Sequence, residues 1–285
     1  MTKIKKRKID VLVLSDIHLG TFGCNAKELL QYLKSIKPKK VILNGDIIDI
    51  WQFKKRYWPK SHMKIIKHIF GWVSEGIDVV YITGNHDEML RKFVGFKMGK
   101  LSIENKFVLE LDGKKAWFFH GDVFDVIMKH SKWLAKLGAV GYDLLILINY
   151  MVNYACVLLG KEKFSFSKRV KDKVKGAVKF INNFETTVTD IAIEKGFDYV
   201  VCGHIHQPQM KEFINDKKES SLYLNSGDWV ENLTALEYAN SRWNLYKYDE
   251  RDFQINESML DSELVDSTEQ SSKELFKVML KEFNL

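Results

Sequence analysis

Five short runs in this 285-residue chain concentrate acids, amides and imidazoles: Ser15-Asp16-Ile17-His18, Asn44-Gly45-Asp46, Gly84-Asn85-His86-Asp87, Phe119-His120-Gly121-Asp122 and Cys202-Gly203-His204-Ile205-His206. Their useful donors are oxygen and nitrogen, which suit hard or borderline divalent ions such as Mn, Fe or Zn rather than an iron–sulfur cluster. Two such cations held about 3.5–4 Å apart polarise a phosphoryl group and bring the pKa of a water towards about 7. No protein base is then needed for the attacking water. A carboxylate suits the bridge between the ions, because it has two oxygens and cancels charge. A histidine, with a reference pKa near 6.5, can protonate a departing oxygen at neutral pH.

Each run alone is ordinary. Asp-x-His after a strand is commonly a loop carboxylate beside a half-buried histidine, and Gly-Asp is commonly a turn. Asn85 could cap a short helix running through Leu90 and Phe93. His204 and His206 alternate, so on a strand both face one side. The weight lies in five such runs, in order, each behind an apolar segment. The pattern predicts strands over Ile9–Ser15, Val41–Asn44, Val79–Thr83, Lys115–Phe119 and Tyr199–Cys202, which puts every run at a strand end. In layered α/β domains that edge is where ligands gather. Helices are expected over Asn25–Lys37 and Ser61–Glu75. Asp112-Gly113 between Lys106–Leu111 and Lys115–Phe119 signals a hairpin. Short strands follow at Met210–Ile214, Leu222–Asn225, Leu233–Tyr238 and Asn244–Tyr248.

The five blocks, in order over roughly residues 9 to 230, resemble the calcineurin-like metallophosphoesterase superfamily. The resemblance implies an α/β fold of two packed mixed β-sheets flanked by helices. It implies that one metal takes Asp16, His18 and His206, that a second takes Asn85, His120 and His204, and that Asp46 bridges them. His86 falls where the family keeps its general acid, and Asp87 would orient its imidazole. Manganese is the first expectation for the two divalent ions, with iron or zinc as alternatives. The core is expected over residues 1–121 and 197–250, interrupted by a helical lid at 122–196, with a partly helical tail at 251–285.

The insertion is the unusual part. Gly138–Gly160 is long and apolar enough to span a bilayer. A single crossing, however, would separate His120 from His204, and Asp143, Asn149 and Asn153 fit poorly in lipid. Two readings stay open: a helical hairpin packed on the core or on a dimer partner, and a lid whose apolar face accepts acyl chains or meets a membrane surface. Lys161 to Lys179 follows with eight bases against two acids. That run is either a solvated helix face or a phosphate- and headgroup-binding one. A helical lid between the third His block and the paired histidines is similar to the UDP-2,3-diacylglucosamine hydrolases of lipid A synthesis. That likeness implies cleavage of a diphosphate to UMP and 2,3-diacylglucosamine 1-phosphate at the cytoplasmic membrane face. Lys168, Arg169 and Lys171 would then meet the phosphates. One departure is that those enzymes typically carry Arg where this chain has His86.

Composition bounds the alternatives. The chain is 46% hydrophobic and 28% charged, enough for a substantial core without disulfides. Cys24, Cys156 and Cys202 form no CxxC pair and read as buried thiols in a reducing compartment. The basic start from Lys3 to Lys8 superficially suggests a signal peptide. The apolar run behind it is short and leads into Asp16, so export is rejected. The net charge of +7 permits nucleic acid, yet no aromatic and basic stripe interleaves and the Leu/Ile-rich insert suits a polyanion poorly. No nucleic-acid partner is therefore expected. A protein phosphatase gains nothing from an acyl-sized lid. A non-catalytic scaffold of the same fold should lack ligands that are present here. Nothing in the sequence fixes the oligomeric state.

Overall fold

The computed structural model describes residues 6–51, 58–124 and 184–253. Lys168, Arg169 and Lys171, the apolar stretch Gly138–Gly160 and the tail beyond residue 253 lie outside the described residues, as do the expectations that fall on them. The chain divides into a unit Met1–Tyr248 and a second unit Asp249–Leu285. In the latter, Glu250–Asp252 form one short 3-10 turn.

Apolar runs buried on both faces set the architecture of the first unit. Strand β1 (Arg7–Leu14) lies parallel to β2 (Ile36–Asn44), β2 to β3 (Asp78–Ile82), and β3 to β5 (Leu101–Glu104). Antiparallel β11 (Thr234–Ala239) and β12 (Arg242–Lys247) extend this sheet beside β1, and the two-residue β4 (Lys97–Met98) closes its far edge. The seven strands run in the order β12-β11-β1-β2-β3-β5-β4. A second sheet has the order β6-β7-β8-β10-β9, built from Lys106–Leu111, Lys114–Phe119, Tyr199–Cys202, Ser220–Asn225 and Gln209–Ile214 as β6, β7, β8, β10 and β9.

The sheets face each other across one core. Val11 and Val13 of β1, Ile42 of β2 and Ile82 of β3 meet Phe118 of β7, Val201 of β8 and Leu224 of β10. Alternation sends Leu12 and Leu14 to the opposite face of β1, where they too are buried. Helices α1 (Ala26–Ser35) and α2 (Lys60–Ser74) pack against each other and against β2 and β3. On the outer face of the second sheet, Phe184, Val188 and Ala192 of helix α3 (residues 184–194) cover Phe119, Val200, Cys202 and Tyr223. The result is a sandwich of two mixed sheets flanked by helices, as the resemblance implied.

Several element ends shift by a residue or two from the sequence reading, and two departures have a clear physical cause. The helix expected through Lys37 stops at Ser35, because Ile36–Lys40 pair with Arg7–Val11 as the opening of β2. After His86 a 3-10 turn (Glu88–Phe93) forms with no side-chain cap, so Asn85 does not act as a helix N-cap.

Candidate active site

Strand ends deliver the side chains. The loop after β1 lies against the loop after β2 through Asp16 N to Gly45 O at 3.1 Å and His18 N to Asp46 O at 3.0 Å. Gly203 N donates to His120 O at 2.9 Å, tying β8's end to β7's. Trp229 N donates to Asp16 O at 3.1 Å, closing the cluster from behind. Glycines let these backbones approach. A Cβ on Gly84 would sit 2.2 Å from Asp46 Oδ1, and one on Gly203 would sit 2.6 Å from Asp16 Oδ2.

Three groups of potential ligands result: Asp16, His18 and His206; Asp46, His120 and His204; and His18, Asp46 and His86, each with donor atoms within 4.8 Å of one another. Asp46 belongs to two of them. His206 Nε2 lies 3.3 Å from Asp16 Oδ1, and His120 Nε2 lies 3.2 Å from Asp46 Oδ2. His204 N donates to Asp16 Oδ2 at 3.0 Å. Asp16, Asp46, Asn85 and His120 are all buried.

The donor set fits divalent cations on an independent observation. Asp16 Oδ1, Asn85 Oδ1 and His120 Nε2 are buried without a hydrogen-bond partner among the described residues. Such orphans are costly unless an ion or water satisfies them. His120 is also oriented as a ligand must be: its Nδ1 donates to Asn44 O at 2.9 Å, which turns Nε2 towards Asp46, where a cation would take the place of the proton.

Electrostatics agree. Burial opposes charge on His120, but Asp46 and Asp16 outweigh it and push the ring up to about 10. Burial likewise opposes charge on His206, and Asp16, Asp228 and Asp46 raise it to about 9. For Asp16 burial favours the neutral acid, yet His206, His120 and His18 hold the carboxyl well below the usual range. A field that keeps imidazolium ions charged in a buried cluster is one that attracts cations.

One expectation needs correcting. Asp87 does not orient the His86 ring. Its carboxylate accepts from Gly84 N at 2.6 Å, Tyr81 Oη at 2.6 Å and Ile47 N at 3.0 Å, so it fixes the turn that carries Asn85. Asp49 takes the orienting place: its buried Oδ2 lies 2.9 Å from His86 Nδ1 and 3.4 Å from His18 Nδ1. Sequence reasoning missed Asp49, although the spacing Asp46-Ile47-Ile48-Asp49 was visible. Burial opposes charge on His86, and Asp49 with Asp46 raises its pKa above the ordinary value. His86 N donates to Asp46 Oδ1 at 2.8 Å, and Trp51 leans over the ring at a centroid distance of 4.9 Å.

Asp228 also went unnoticed in the sequence. It is buried, accepts from Val230 N at 2.8 Å, Asn232 N at 3.2 Å and Glu231 N, and stands 3.7 Å from His206 Nδ1. Asp122 of the fourth block pairs with Arg91 and so links that block to the turn after His86.

The match to a family model covers the same blocks. The family model described as calcineurin-like phosphoesterase matches residues 9–208. A UDP-2,3-diacylglucosamine hydrolase of Aliivibrio fischeri (strain MJ11) is 24% identical over 248 residues, spanning 83% of this chain and 98% of that protein. A protein of the same name from Blochmanniella pennsylvanica (strain BPEN) is 23% identical over 235 residues, 78% of this chain and 88% of its own length. Among solved structures, a novel archaeal phosphodiesterase aligns with a TM-score of 0.40 at 12% identity, covering 83% of this chain and 98% of that one. With the blocks in order and their donors gathered at one sandwich edge, this chain is a metal-dependent hydrolase and belongs to the calcineurin-like phosphoesterase family.

Proposed function

We propose that this protein hydrolyses the diphosphate of UDP-2,3-diacylglucosamine to UMP and 2,3-diacylglucosamine 1-phosphate, as a peripheral enzyme at the cytoplasmic face of the membrane. The observation that carries the reading is the similarity, over 83% of this chain, to a hydrolase of that name; the three clusters of His and Asp donors at the site support it. In this reading Asp16, His18 and His206 would hold one divalent ion, Asn85, His120 and His204 would hold another, and Asp46 would serve both. Manganese is the first candidate and iron or zinc the alternatives. Bound there, the ions supply Lewis acidity and a nucleophile from water at neutral pH.

The chain's own groups do the rest. His86, fixed through Nδ1 by Asp49, presents Nε2 on the Asp46 side of the cluster and protonates the leaving oxygen. Asp87 keeps the Gly84 turn closed so that Asn85 Oδ1 stays within the cluster. Lys168, Arg169 and Lys171 of the insertion bind the phosphates, and its apolar stretch holds acyl chains.

The test is a 31P NMR hydrolysis series with metal-loaded protein. It compares UDP-2,3-diacylglucosamine, a deacylated UDP-sugar, CDP-diacylglycerol, a cyclic nucleotide and a phosphopeptide. The expected result is UMP from the diacylated substrate, with strongly reduced efficiency after deacylation, because each buried CH₂ is worth about 0.8 kcal/mol. Equal efficiency with and without acyl chains, or preference for the cyclic nucleotide or phosphopeptide, would sink the lipid reading and leave the phosphoesterase intact.

A further inference from the structure

Three residues beyond His86 the chain turns apolar and basic at the surface. Residues 91–100 are all exposed, ten in a row. Met89 just before this segment and Phe93, Val94, Phe96 and Met98 within it have between 38% and 57% of their surface in water. Scattered exposed apolar residues need no explanation, but five within ten positions form a patch that wants a cover. The segment is held open by its own backbone bonds. Gly95 N donates to Ile103 O at 2.8 Å and Ile103 N to Phe96 O at 3.0 Å, fastening it to β5. Strand β4 lies at the outer end of the sheet order, so no further strand flanks it among the described residues.

The charges say what kind of cover fits. Between Met89 and Lys100 stand Arg91, Lys92, Lys97 and Lys100, with no acid. Arg91 is paired with Asp122, and Lys100 with Asp78 at 3.0 Å, so Lys92 and Lys97 carry most of the net charge. An occupant therefore needs apolar depth and negative charge at its surface. The chain's own insertion has the first and the wrong sign of the second, since Lys161 to Lys179 carries eight bases against two acids. A second copy of this patch would meet like charge as well. An anionic lipid surface supplies both requirements: apolar tips enter the acyl boundary while lysines meet the headgroups.

We infer that Met89–Lys100 is a membrane-docking edge, which lays the mouth of the site, three residues away at His86, against an anionic bilayer. The inference rests on the proposed lipid substrate and adds where the protein touches the lipid. A substrate held by its acyl chains would then reach His86 and Asp46 by sliding out of the leaflet, without crossing water.

Co-sedimentation of full-length, metal-loaded protein with vesicles tests it. Equal parts phosphatidylcholine and phosphatidylglycerol are compared with phosphatidylcholine alone. The wild type should bind the anionic vesicles at low salt and release at high salt. Phe93→Ser with Phe96→Ser should weaken binding by about tenfold or more. Lys92→Glu with Lys97→Glu should cost at least about fivefold per position at low salt, an effect that fades at high salt. All four positions are exposed, so melting temperature and hydrolysis of a small soluble phosphodiester should match the wild type. Unchanged vesicle binding in both double variants overturns the inference. So does binding that is lost only on changing Lys168, Arg169 and Lys171, or a wild-type dimer that the Phe93→Ser, Phe96→Ser protein fails to form. If the wild type docks through this edge yet leaves UDP-2,3-diacylglucosamine intact, the substrate reading fails and the docking edge stands.

Discussion

Gly84→Ala adds one methyl group and should disable the site. The ideal Cβ would lie 2.2 Å from Asp46 Oδ1, 2.6 Å from Asp46 N and 2.9 Å from Asp46 Cγ, where ordinary contact begins at 3.4 Å. The carboxylate oxygen must therefore retreat by roughly 1 Å, and because the second contact is backbone, rotation of the Asp46 side chain alone cannot relieve it. That retreat breaks the 2.8 Å bond from His86 N to Asp46 Oδ1 and shifts the oxygen that faces His120 at 3.2 Å. A displacement of this size at a reacting centre lowers turnover about 10²-fold. Overpacking at a buried position costs about 1–3 kcal/mol, and each kcal/mol lowers Tm by about 2–4 °C in a chain of this size. Elemental analysis after dialysis, hydrolysis of a chromogenic phosphodiester and a melting curve read the three effects. Gly71→Ala is the matched control: it lies within α2 with nothing within 4 Å of its ideal Cβ, so it should stabilise by about 0.5–1 kcal/mol and leave activity unchanged. Wild-type metal content and turnover in Gly84→Ala would refute the claim that Asp46 has no room to move.

Asp46→Ala should lose metal at both clusters together, whereas His206→Ala should weaken one; elemental analysis at graded metal concentrations separates the two patterns. Stripping metal with a chelator should abolish turnover while far-UV circular dichroism stays native, with Tm rising by mass action as metal returns, by about 2.7 kcal/mol of stability at a hundredfold excess over Kd. His86→Ala should cut turnover by roughly 10²–10⁴ with metal content intact, and the loss should shrink on a leaving group that needs no proton. His62 supplies a pH test away from the metal cluster. Its Nδ1 accepts from Gly20 N at 3.0 Å, and burial drives its pKa down to about 4. The unfolded chain takes up this proton near pH 6.5 and the folded one does not, so stability is complete above about 6.5 and falls as pH drops towards 4. Urea midpoints across that range should show the decline, and His62→Gln should flatten it.

Two kinds of strand were legible: Tyr199–Cys202, a continuous apolar run buried along its length, and Lys106–Leu111, whose exposure alternates; both have the extent the pattern predicts. Where structure depends on distant partners, the sequence misleads. Ile36 and Lys37 read as the end of a helix, yet they open a strand because β1 lies alongside them. Strands β4 and β5 were not anticipated, since Lys97–Met98 and Leu101–Glu104 are short and neither is buried, which leaves no alternation to read. The five blocks name residues but not the atoms they offer. That His120 must present Nε2 follows from the Asn44 carbonyl, a backbone group without any sequence signature. Asp49 and Asp87 show the same limit: both are acids close to His86 along the chain or across a loop, and only the packing reveals which one faces the imidazole.

Backbone conformation is the part of the site that residue types least betray. Asp16, His18, Asp46, His204 and His206 all have φ between 51° and 67°. These are five of the seven side chains assigned to the ions, in a region that costs an L-residue roughly 1–2 kcal/mol and that Asp and His tolerate better than branched residues. Such strain persists only where the surroundings over-determine it. Here Asp16 N to Gly45 O and His18 N to Asp46 O bind the loops after β1 and β2, Gly203 N to His120 O binds those after β7 and β8, and His204 N to Asp16 Oδ2 at 3.0 Å with Asn44 Nδ2 to Phe119 O at 3.2 Å joins the two pairs. Both sheets contribute, so the strain is held by the whole sandwich and not by any single loop. The shape of the cluster is therefore set by the fold. Side chains fixed in this way, with Asp16 Oδ1, Asn85 Oδ1 and His120 Nε2 lacking hydrogen-bond partners among the described residues, are what a site that stabilises a developing charge requires.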